Sequence, residues 1–222
     1  MEKRTWFTAR QKQFFNVATE ESYVRDRFYL TGGTALSGFY YNHRESLDID
    51  LFTSFELNTA EITHLLFGLQ KKLKWTKIEK ARGLGENNFI LHFSKKDSLR
   101  IDFFHYTFKP LKKRKIWNGL KIDSLEDIAA NKLDAILSRK KMRDYVDLFF
   151  LMKREKYTME KLRKNVWKKF DWKIEPLVLV RNLLRVNELS DLPRMKVPFS
   201  VKKMIAFFEN EAGKLKPRIF TT

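Results

Sequence analysis

The spacing of apolar residues changes near the middle of this 222-residue chain, and the change limits the folds open to it. Up to about residue 110, segments with the two-residue period of half-buried strands alternate with segments of helical spacing. From Ser124 onward the spacing is helical, with hardly any strand signal. Pro110, Gly119 and a basic cluster mark the change. The pattern predicts an α+β (mixed α/β) protein, with a small mixed sheet flanked by helices in residues 1–110 and a helical region in residues 111–222.

The predicted elements of the first half follow its apolar residues. The predicted helices cover residues 8–26, 34–41 and 58–74, and the predicted strands cover residues 28–31, 47–52, 75–79, 89–93 and 99–106. In the second strand apolar and acidic residues alternate, so we expect Leu47, Ile49 and Leu51 to point into the core. Asn58 followed by Glu61 predicts a helix start, because an asparagine can cap the first backbone N–H groups.

Positive charge is the strongest compositional feature of the chain. It has 45 Lys and Arg against 27 Asp and Glu, for a formal net charge of +18. Residues 109–169 hold 19 of the basic and 8 of the acidic residues, or +11 of that total. Such a field attracts polyanions, which favours a nucleic acid as partner. A solubilising surface, an anionic membrane or an acidic protein would also account for it.

Cysteine is absent, which excludes a disulfide framework, a thiolate zinc site and a cysteine nucleophile. The four histidines show no metal-ligand spacing. The first ten residues lack the apolar core of a secretion signal, and no apolar run is long enough to span a membrane. We therefore expect a cytoplasmic protein with no membrane partner.

Two short patterns lie close together in the first half. Asp48 and Asp50 are two residues apart on a predicted strand, so both carboxylates project from one face and can hold a hard cation such as Mg²⁺. Gly32 and Gly33 lie between a predicted strand and helix, where backbone N–H groups can approach a phosphate. Alone, each pattern is more often structural, as an exposed strand face or a tight turn.

Together, the two patterns resemble the nucleotidyltransferase superfamily that includes DNA polymerase β. Gly32-Gly33-Thr34-x-Leu36 is followed about ten residues later by Arg44-x-Ser46-x-Asp48-x-Asp50. More narrowly, the chain resembles the AbiEii/AbiGii family, the abortive-infection and MenT-type nucleotidyltransferases of bacterial toxin–antitoxin systems. The resemblance covers roughly residues 28–151.

The resemblance implies roles for the residues of both patterns. Gly32, Gly33 and Thr34 would hold the phosphates of a nucleoside triphosphate. Asp48 and Asp50 would bind the catalytic Mg²⁺, with Mn²⁺ as a possible substitute.

Three further residues would support this site. By the resemblance, Arg44 and Ser46 would support the phosphates or the aspartates. Asp102 lies in an apolar predicted strand and is a candidate third metal ligand or general base. The alternative is an ion pair between Asp102 and Arg100 or another cation.

A second signature of the family lies in the helical region. Lys132 opens it, Arg139 follows seven residues later on the same helical face, and the stretch Arg143–Leu148 ends it. The resemblance implies that Lys132 and Arg139 face the triphosphate. Asp147 would orient Lys132 or hold two helices together, and Asp144 is the competing candidate.

The resemblance implies a toxin that moves a nucleoside monophosphate from a nucleoside triphosphate to the 3′ end of tRNA, with a cognate antitoxin as partner. Other acceptors remain open, among them a protein hydroxyl or a small molecule such as an aminoglycoside. A catalytically silent RNA-binding module is the alternative from a different class. Metal-dependent glycosyl transfer also uses Asp-x-Asp but does not account for the glycine pair.

Overall fold

Seven strands form one mixed sheet in the computed structural model of the chain, which describes residues 5–83 and 86–215. The strands are β1 (Tyr29–Leu30), β2 (Ile49–Thr53), β3 (Lys77–Gly83), β4 (Glu86–Ser94), β5 (Asp97–His105), β6 (Lys115–Trp117) and β7 (Leu120–Ile122). Their order across the sheet is β3-β4-β5-β2-β1-β7-β6. β2 is parallel to β5 and β1 to β7, while the other neighbours are antiparallel. The predicted α+β class is confirmed.

The central strand β2 is shorter at its start than the sequence predicts. Ile49 and Leu51 are fully buried, as expected from the alternation. Leu47 is 58% exposed, so its predicted place in the core is wrong. The physical reason is that the strand begins only at Ile49, and the alternation of faces does not extend to residues before it.

The hairpin of β6 and β7 is absent from the sequence prediction. Its two-residue turn consists of Asn118 with φ +45° and Gly119 with φ +78°. Positive φ at both central residues is the backbone twist that tight hairpins need, and Asn-Gly is the sequence that adopts it most readily. The sequence signal for this hairpin is therefore the local pair Asn118-Gly119. The prediction missed the hairpin because it interpreted Gly119 only as a break between two regions of the chain.

The helices around the sheet are short. They are α1 (Ala9–Ala18), α2 (Ser22–Arg27), α3 (Gly32–Thr34), a π-helical continuation (Ala35–Tyr41), α4 (Thr59–Gly68) and α5 (Gln70–Leu73). The single helix predicted over residues 8–26 is wrong: α1 ends at Ala18, and Arg25 donates from Nη1 to the backbone oxygens of Thr19 and Glu20. Asn58 caps α4 as predicted, accepting from the N–H groups of Ala60 and Glu61.

The predicted helical region, residues 111–222, begins with the β6–β7 hairpin, and from Leu125 onward its described residues form helices and loops with one isolated bridge, at Met195. Its helices are α6 (Leu125–Ser138), α7 (Met142–Glu155), α8 (Met159–Phe170), α9 (Pro176–Leu184), a 3₁₀ turn (Arg185–Glu188) and α10 (Val201–Gly213). Ser124 caps α6 through the N–H of Asp127. α6 packs against α7 and α8, and α9 packs against α10. Within the described residues, no helix is both long and apolar enough to cross a membrane.

The described residues divide into two compact units. The sheet unit contains residues up to 42, 46–109 and 113–123, so it includes the β6–β7 hairpin. The helical unit contains residues 43–45, 110–112 and the chain from 124 onward. Of the predicted site residues, Arg44 belongs to the helical unit, whereas Ser46 belongs to the sheet unit.

Candidate active site

The two aspartates of the Asp-x-Asp pattern lie at the start of β2. Asp50 is the second residue of the strand and lies between buried Ile49 and Leu51, and Asp48 directly precedes the strand. The buried side chain of Gln11 in α1 donates from Nε2 to the backbone oxygen of Asp48 at 3.3 Å. Helix α1 therefore holds the segment that leads into the aspartate pair.

The glycine turn is joined to these aspartates by direct contacts. Gly32 has φ +67°, which strains any other residue, and a Cβ there would lie 3.4 Å from Oδ2 of Asp50. The Thr34 hydroxyl donates to the backbone oxygen of Asp48 and lies 2.9 Å from Oγ of Ser46. Since Thr34 has one hydroxyl hydrogen, Ser46 is the donor in that second bond. The turn and the aspartates form one constellation, in which Thr34 and Ser46 set the position of Asp48.

The turn also offers backbone donors. It opens a helical segment that runs from Gly32 to Tyr41, and the first N–H groups of a helix have no partner inside the helix. These groups carry partial positive charge and suit a phosphate.

A third carboxylate lies beside the pair. In the parallel register of β2 and β5, Asp102 is the direct partner of Asp50. Asp102 is 5% exposed, and Nε of Arg100 lies 3.0 Å from its Oδ1 and 2.9 Å from its Oδ2. Asp102 therefore forms the ion pair with Arg100 that was the alternative interpretation of the sequence. It also lies beside Asp50 of the Asp-x-Asp pair in the sheet.

All three carboxylates raise the pKa of Arg100. Its hydrogen bonds to Asp102 raise the pKa of the guanidinium, burial opposes the rise, and the negative charges of Asp102, Asp48 and Asp50 add to it. One cationic side chain therefore lies within the electrostatic reach of all three aspartates.

The chemistry of this carboxylate group fits a hard divalent cation, which prefers oxygen ligands. Among the described residues, no three acidic, histidine or cysteine side chains are grouped as a ready-made metal centre. Mg²⁺ commonly takes only one or two protein carboxylates and completes its shell with water and substrate phosphate, so a pair such as Asp48 and Asp50 would suffice for an ion of this kind.

We expect Arg100→Gln to tighten the binding of divalent cations in the absence of nucleotide, because it removes a positive charge that competes for the same carboxylates. The dissociation constant for Mn²⁺, measured by titration calorimetry, should fall about fivefold, as one unit charge near the surface is worth about 1 kcal/mol or more. Lys71→Gln is the matched control, since Lys71 is an exposed cation of the same unit in α5. Unchanged or weaker Mn²⁺ binding would show that Arg100 does not compete at this site.

The helical unit contains a buried ionic cluster centred on Asp147. Oδ1 of Asp147 accepts from Nε of Arg44 at 2.7 Å and contacts Nε2 of His43 at 2.8 Å. Oδ2 accepts from Nη2 of Arg44 at 2.7 Å and lies 2.8 Å from Nζ of Lys132. The side chain of Asp147 is fully buried. This aspartate therefore joins the segment 43–45 to α6 and α7.

Asp144 extends the cluster toward solvent. It accepts from Nζ of Lys132 at 2.6 Å and from Nε and Nη2 of Arg139 at 2.8 and 3.0 Å. The Lys132 side chain is 6% exposed, whereas that of Arg139 is 49% exposed. Asp144 and Asp147 thus share Lys132, and Arg139 is the member of the cluster that solvent reaches.

The pKa values show which charges this cluster maintains. Burial would raise the pKa of Asp147, but the charges of Arg44 and Lys132 and the hydrogen bonds of Arg44 and His43 hold it well below its usual range. Burial would also raise the pKa of Asp144, but the charges and hydrogen bonds of Lys132 and Arg139 outweigh it and lower this pKa below its usual value. Burial lowers the pKa of His43 against the attraction of Asp147, so the imidazole is neutral near pH 7.

The structure separates the predicted site residues into two groups. The sheet unit contains Gly32, Gly33, Thr34, Ser46, Asp48, Asp50 and Asp102; the helical unit contains Arg44, Lys132, Arg139 and Asp147. Sequence reasoning missed Gln11, whose partners lie 35 and 37 residues away. It found for His43 only a lack of metal-ligand spacing, although His43 adjoins Arg44 in sequence and shares its partner Asp147.

Comparison with known families and sequences gives a consistent result. The family model described as nucleotidyl transferase AbiEii toxin, type IV TA system, matches residues 17–214. An uncharacterised protein of Aquifex aeolicus is 33% identical over 159 residues, which are 71% of this chain and 72% of that protein.

Two solved structures share the fold. A protein of H. pylori aligns with a TM-score of 0.59 at 20% identity, over 95% of this chain and 94% of that one. The toxin MenT4 of Mycobacterium tuberculosis H37Rv aligns with a TM-score of 0.57 at 14% identity, over 93% of this chain and 81% of that one. The family resemblance predicted from the motifs is confirmed. The chain belongs to the AbiEii family of nucleotidyltransferase toxins of type IV toxin–antitoxin systems.

Proposed function

We propose that this nucleotidyltransferase uses Mg²⁺ to transfer a nucleoside monophosphate from a nucleoside triphosphate to the 3′ end of tRNA, with release of pyrophosphate. The observation that carries the chemistry is the pairing of Asp50 with Asp102 on neighbouring parallel strands, with Gly32 against the Asp50 carboxylate. Acidic side chains beside a glycine turn that opens a helical segment suit a metal-bound polyphosphate.

Membership in the family establishes the general features of this function. It brings a nucleoside triphosphate as substrate, a divalent metal ion as the usual cofactor and an antitoxin as partner. The choice of Mg²⁺, the RNA acceptor and the roles of individual residues are our proposal.

In the proposed reaction, Asp48 and Asp50 would hold the divalent ion, which would supply charge neutralisation for the phosphates. The acceptor hydroxyl oxygen bonds to the α-phosphorus while the bond from that phosphorus to the bridging oxygen breaks, and pyrophosphate leaves with the electron pair. Asp102 accepts the hydroxyl proton or serves as a third ligand. The backbone N–H groups at Gly32 and Gly33 bind phosphate oxygens.

The residues of the ionic cluster take different proposed roles. Arg139 contacts phosphate, because half of its side chain is exposed and its guanidinium is suited to phosphate oxygens. Lys132 and Arg44 are positioning residues. Their charged groups are buried against Asp147, and through it they hold the segment 43–45, α6 and α7 in place. Asp144 positions Arg139 through two hydrogen bonds.

RNA is the favoured acceptor because of where the positive charge lies. Residues 109–169 contribute +11 of the formal +18. A cationic surface of this kind captures a polyanion and repels a cationic small molecule. A 3′-terminal ribose also presents the hydroxyl that the proposed attack requires.

The test is to incubate the protein with each of the four α-labelled nucleoside triphosphates, Mg²⁺ and total tRNA, and to separate the products on a denaturing gel. We expect label on tRNA. Pretreating the tRNA with periodate destroys the 3′-terminal diol and should abolish labelling. Replacing Mg²⁺ by Ca²⁺ should also abolish it, since Ca²⁺ binds oxygen ligands without the compact octahedral geometry of Mg²⁺.

Other results would redirect the proposal. Label on protein alone would assign a protein hydroxyl as acceptor. Label on periodate-treated tRNA would exclude the 3′ end as the site of addition. No labelled product with any triphosphate would contradict the proposed transfer to RNA.

A further inference from the structure

The outer face of α8 combines exposed tryptophans with lysines. The chain has five tryptophans, and among the described residues only Trp167 and Trp172 are exposed, at 53% and 40%. Large aromatic side chains are usually buried, so two of them at the surface within six residues form an unusual feature. Neither belongs to the proposed active-site residues.

The packing of α8 explains why Trp167 faces outward. The opposite side of this helix buries Met159, Leu162 and Val166, and α8 packs against α6. Helical spacing then leaves Trp167 on the solvent side, beside exposed Lys164 three residues earlier. The tryptophan is therefore not needed for the core of the helical unit.

Two backbone anchors hold Trp172 in a defined place. α8 ends at Asp171, which has φ +54° and donates its N–H to the backbone oxygen of Trp167 at 2.8 Å. Three residues later Ile174 is buried, and its backbone oxygen accepts from Nη2 of Arg163 at 2.8 Å. The turn that carries Trp172 is thus fixed against the helix at both ends, which limits the entropy lost on binding.

Lysines lie beside the two indole rings. Nζ of Lys173 is 5.9 Å from the centre of the Trp167 ring, and Lys168 and Lys173 are both exposed. Lys164 forms an exposed ion pair with Glu160 at 3.2 Å, which a phosphate can replace. Residues 159–174 contain six basic and two acidic residues, so the surface is positive.

We propose that Lys164, Trp167, Lys168, Trp172 and Lys173, the tryptophan surface, bind unpaired nucleotides of the RNA acceptor. Bases stack on the two indole rings, and the lysines contact the phosphates between them. Stacking on aromatic side chains flanked by cations is the usual way in which proteins hold single-stranded RNA. A partner protein is less well matched, because lysine is depleted at the centres of protein interfaces.

This inference rests on the proposed RNA acceptor but is tested separately, by binding rather than by transfer. The probe is a short fluorescein-labelled single-stranded RNA, titrated with the full chain without nucleotide, with the same RNA as a duplex for comparison. For Trp167→Ala/Trp172→Ala we expect the dissociation constant for the single strand to rise at least about tenfold. Binding of the duplex should change little, because its bases are not free to stack.

Two further variants separate stacking from charge. Trp167→Phe/Trp172→Phe should retain much of the affinity, since a smaller ring still stacks. Lys168→Gln/Lys173→Gln should make the negative slope of log affinity against log salt shallower by about 1.4, as roughly 0.7 counterion is released per phosphate contact on a single strand and two contacts are lost. Phe55→Ala is the matched control, because Phe55 is a 52% exposed aromatic residue of the sheet unit.

The outcomes distinguish this inference from the proposed function. Unchanged single-strand affinity in the tryptophan-to-alanine variant, with an unchanged melting temperature, would overturn the inference and leave the surface to another partner such as a protein. No RNA binding by the unaltered chain would overturn it as well. Binding that depends on the tryptophans, in a chain that labels no tRNA, would support the surface and refute the proposed acceptor chemistry.

Discussion

Asp48→Asn/Asp50→Asn is expected to lower nucleotide transfer by roughly a thousandfold or more, because several kcal/mol of charge stabilisation depend on the ion that these carboxylates hold. Asparagine has nearly the same volume as aspartate and leaves the buried neighbours Ile49 and Leu51 in place. The fold should therefore persist. The measurement is the initial rate of label transfer, together with the melting temperature.

Asp26→Asn provides the control for this double variant. Asp26 is an exposed aspartate of α2 in the same unit, so its replacement changes charge without touching the constellation. Transfer at the unaltered rate by the Asp48/Asp50 variant would remove the central support for the proposed function. A large fall in melting temperature would show instead that the aspartates are needed for folding.

Asp147→Asn is expected to destabilise the chain by about 3–5 kcal/mol, because removing one partner of a buried ion pair leaves the other charges uncompensated. Arg44 and Lys132 are 4% exposed each and would lose their shared counter-ion. Chemical denaturation measures the loss as a lower midpoint. Asp171→Asn is the matched control, since Asp171 is exposed and its left-handed backbone accommodates asparagine well.

A second substitution tests the origin of this loss. In Asp147→Asn/Lys132→Met one buried cation is removed along with its partner, so the double variant should be less destabilised than the sum of the single variants. Additive losses would mean that Lys132 and Asp147 do not interact in the folded chain. Such a result would contradict the 2.8 Å contact between them.

The same cluster makes stability depend on pH. The folded-state pKa of Asp147 lies well below its usual range, so on acidification the unfolded chain takes up this proton first. Its stabilising contribution is complete above about pH 4 and is lost as the pH falls further toward the folded-state pKa. His43 acts in the same direction at higher pH: its pKa is lowered by burial, so stability falls below about pH 6.5.

Local signals explain what could be predicted of the fold. The alternation around Ile49 and Leu51 located β2, the cap at Asn58 located the start of α4, and the onset of helical spacing at Ser124 located the start of α6. The Asn118-Gly119 turn was equally local, and its hairpin could have been predicted from the same kind of evidence. These features depend on neighbours a few residues apart, whose conformational preferences are written in the sequence itself.

The motifs alone identified the family and the acidic and glycine residues of the candidate site. Tertiary structure decided their partners: Asp102 lies beside Asp50 only because β2 and β5 pair in parallel in one register. It also decided that Arg44 meets Asp147, 103 residues away, and that Lys132 is buried between two aspartates while Arg139 reaches solvent. The predicted helical face shared by Lys132 and Arg139 is wrong, because α6 ends at Ser138 and the backbone of Arg139 is extended. Burial depends on which other elements pack around a side chain, and no local pattern of residues contains that information.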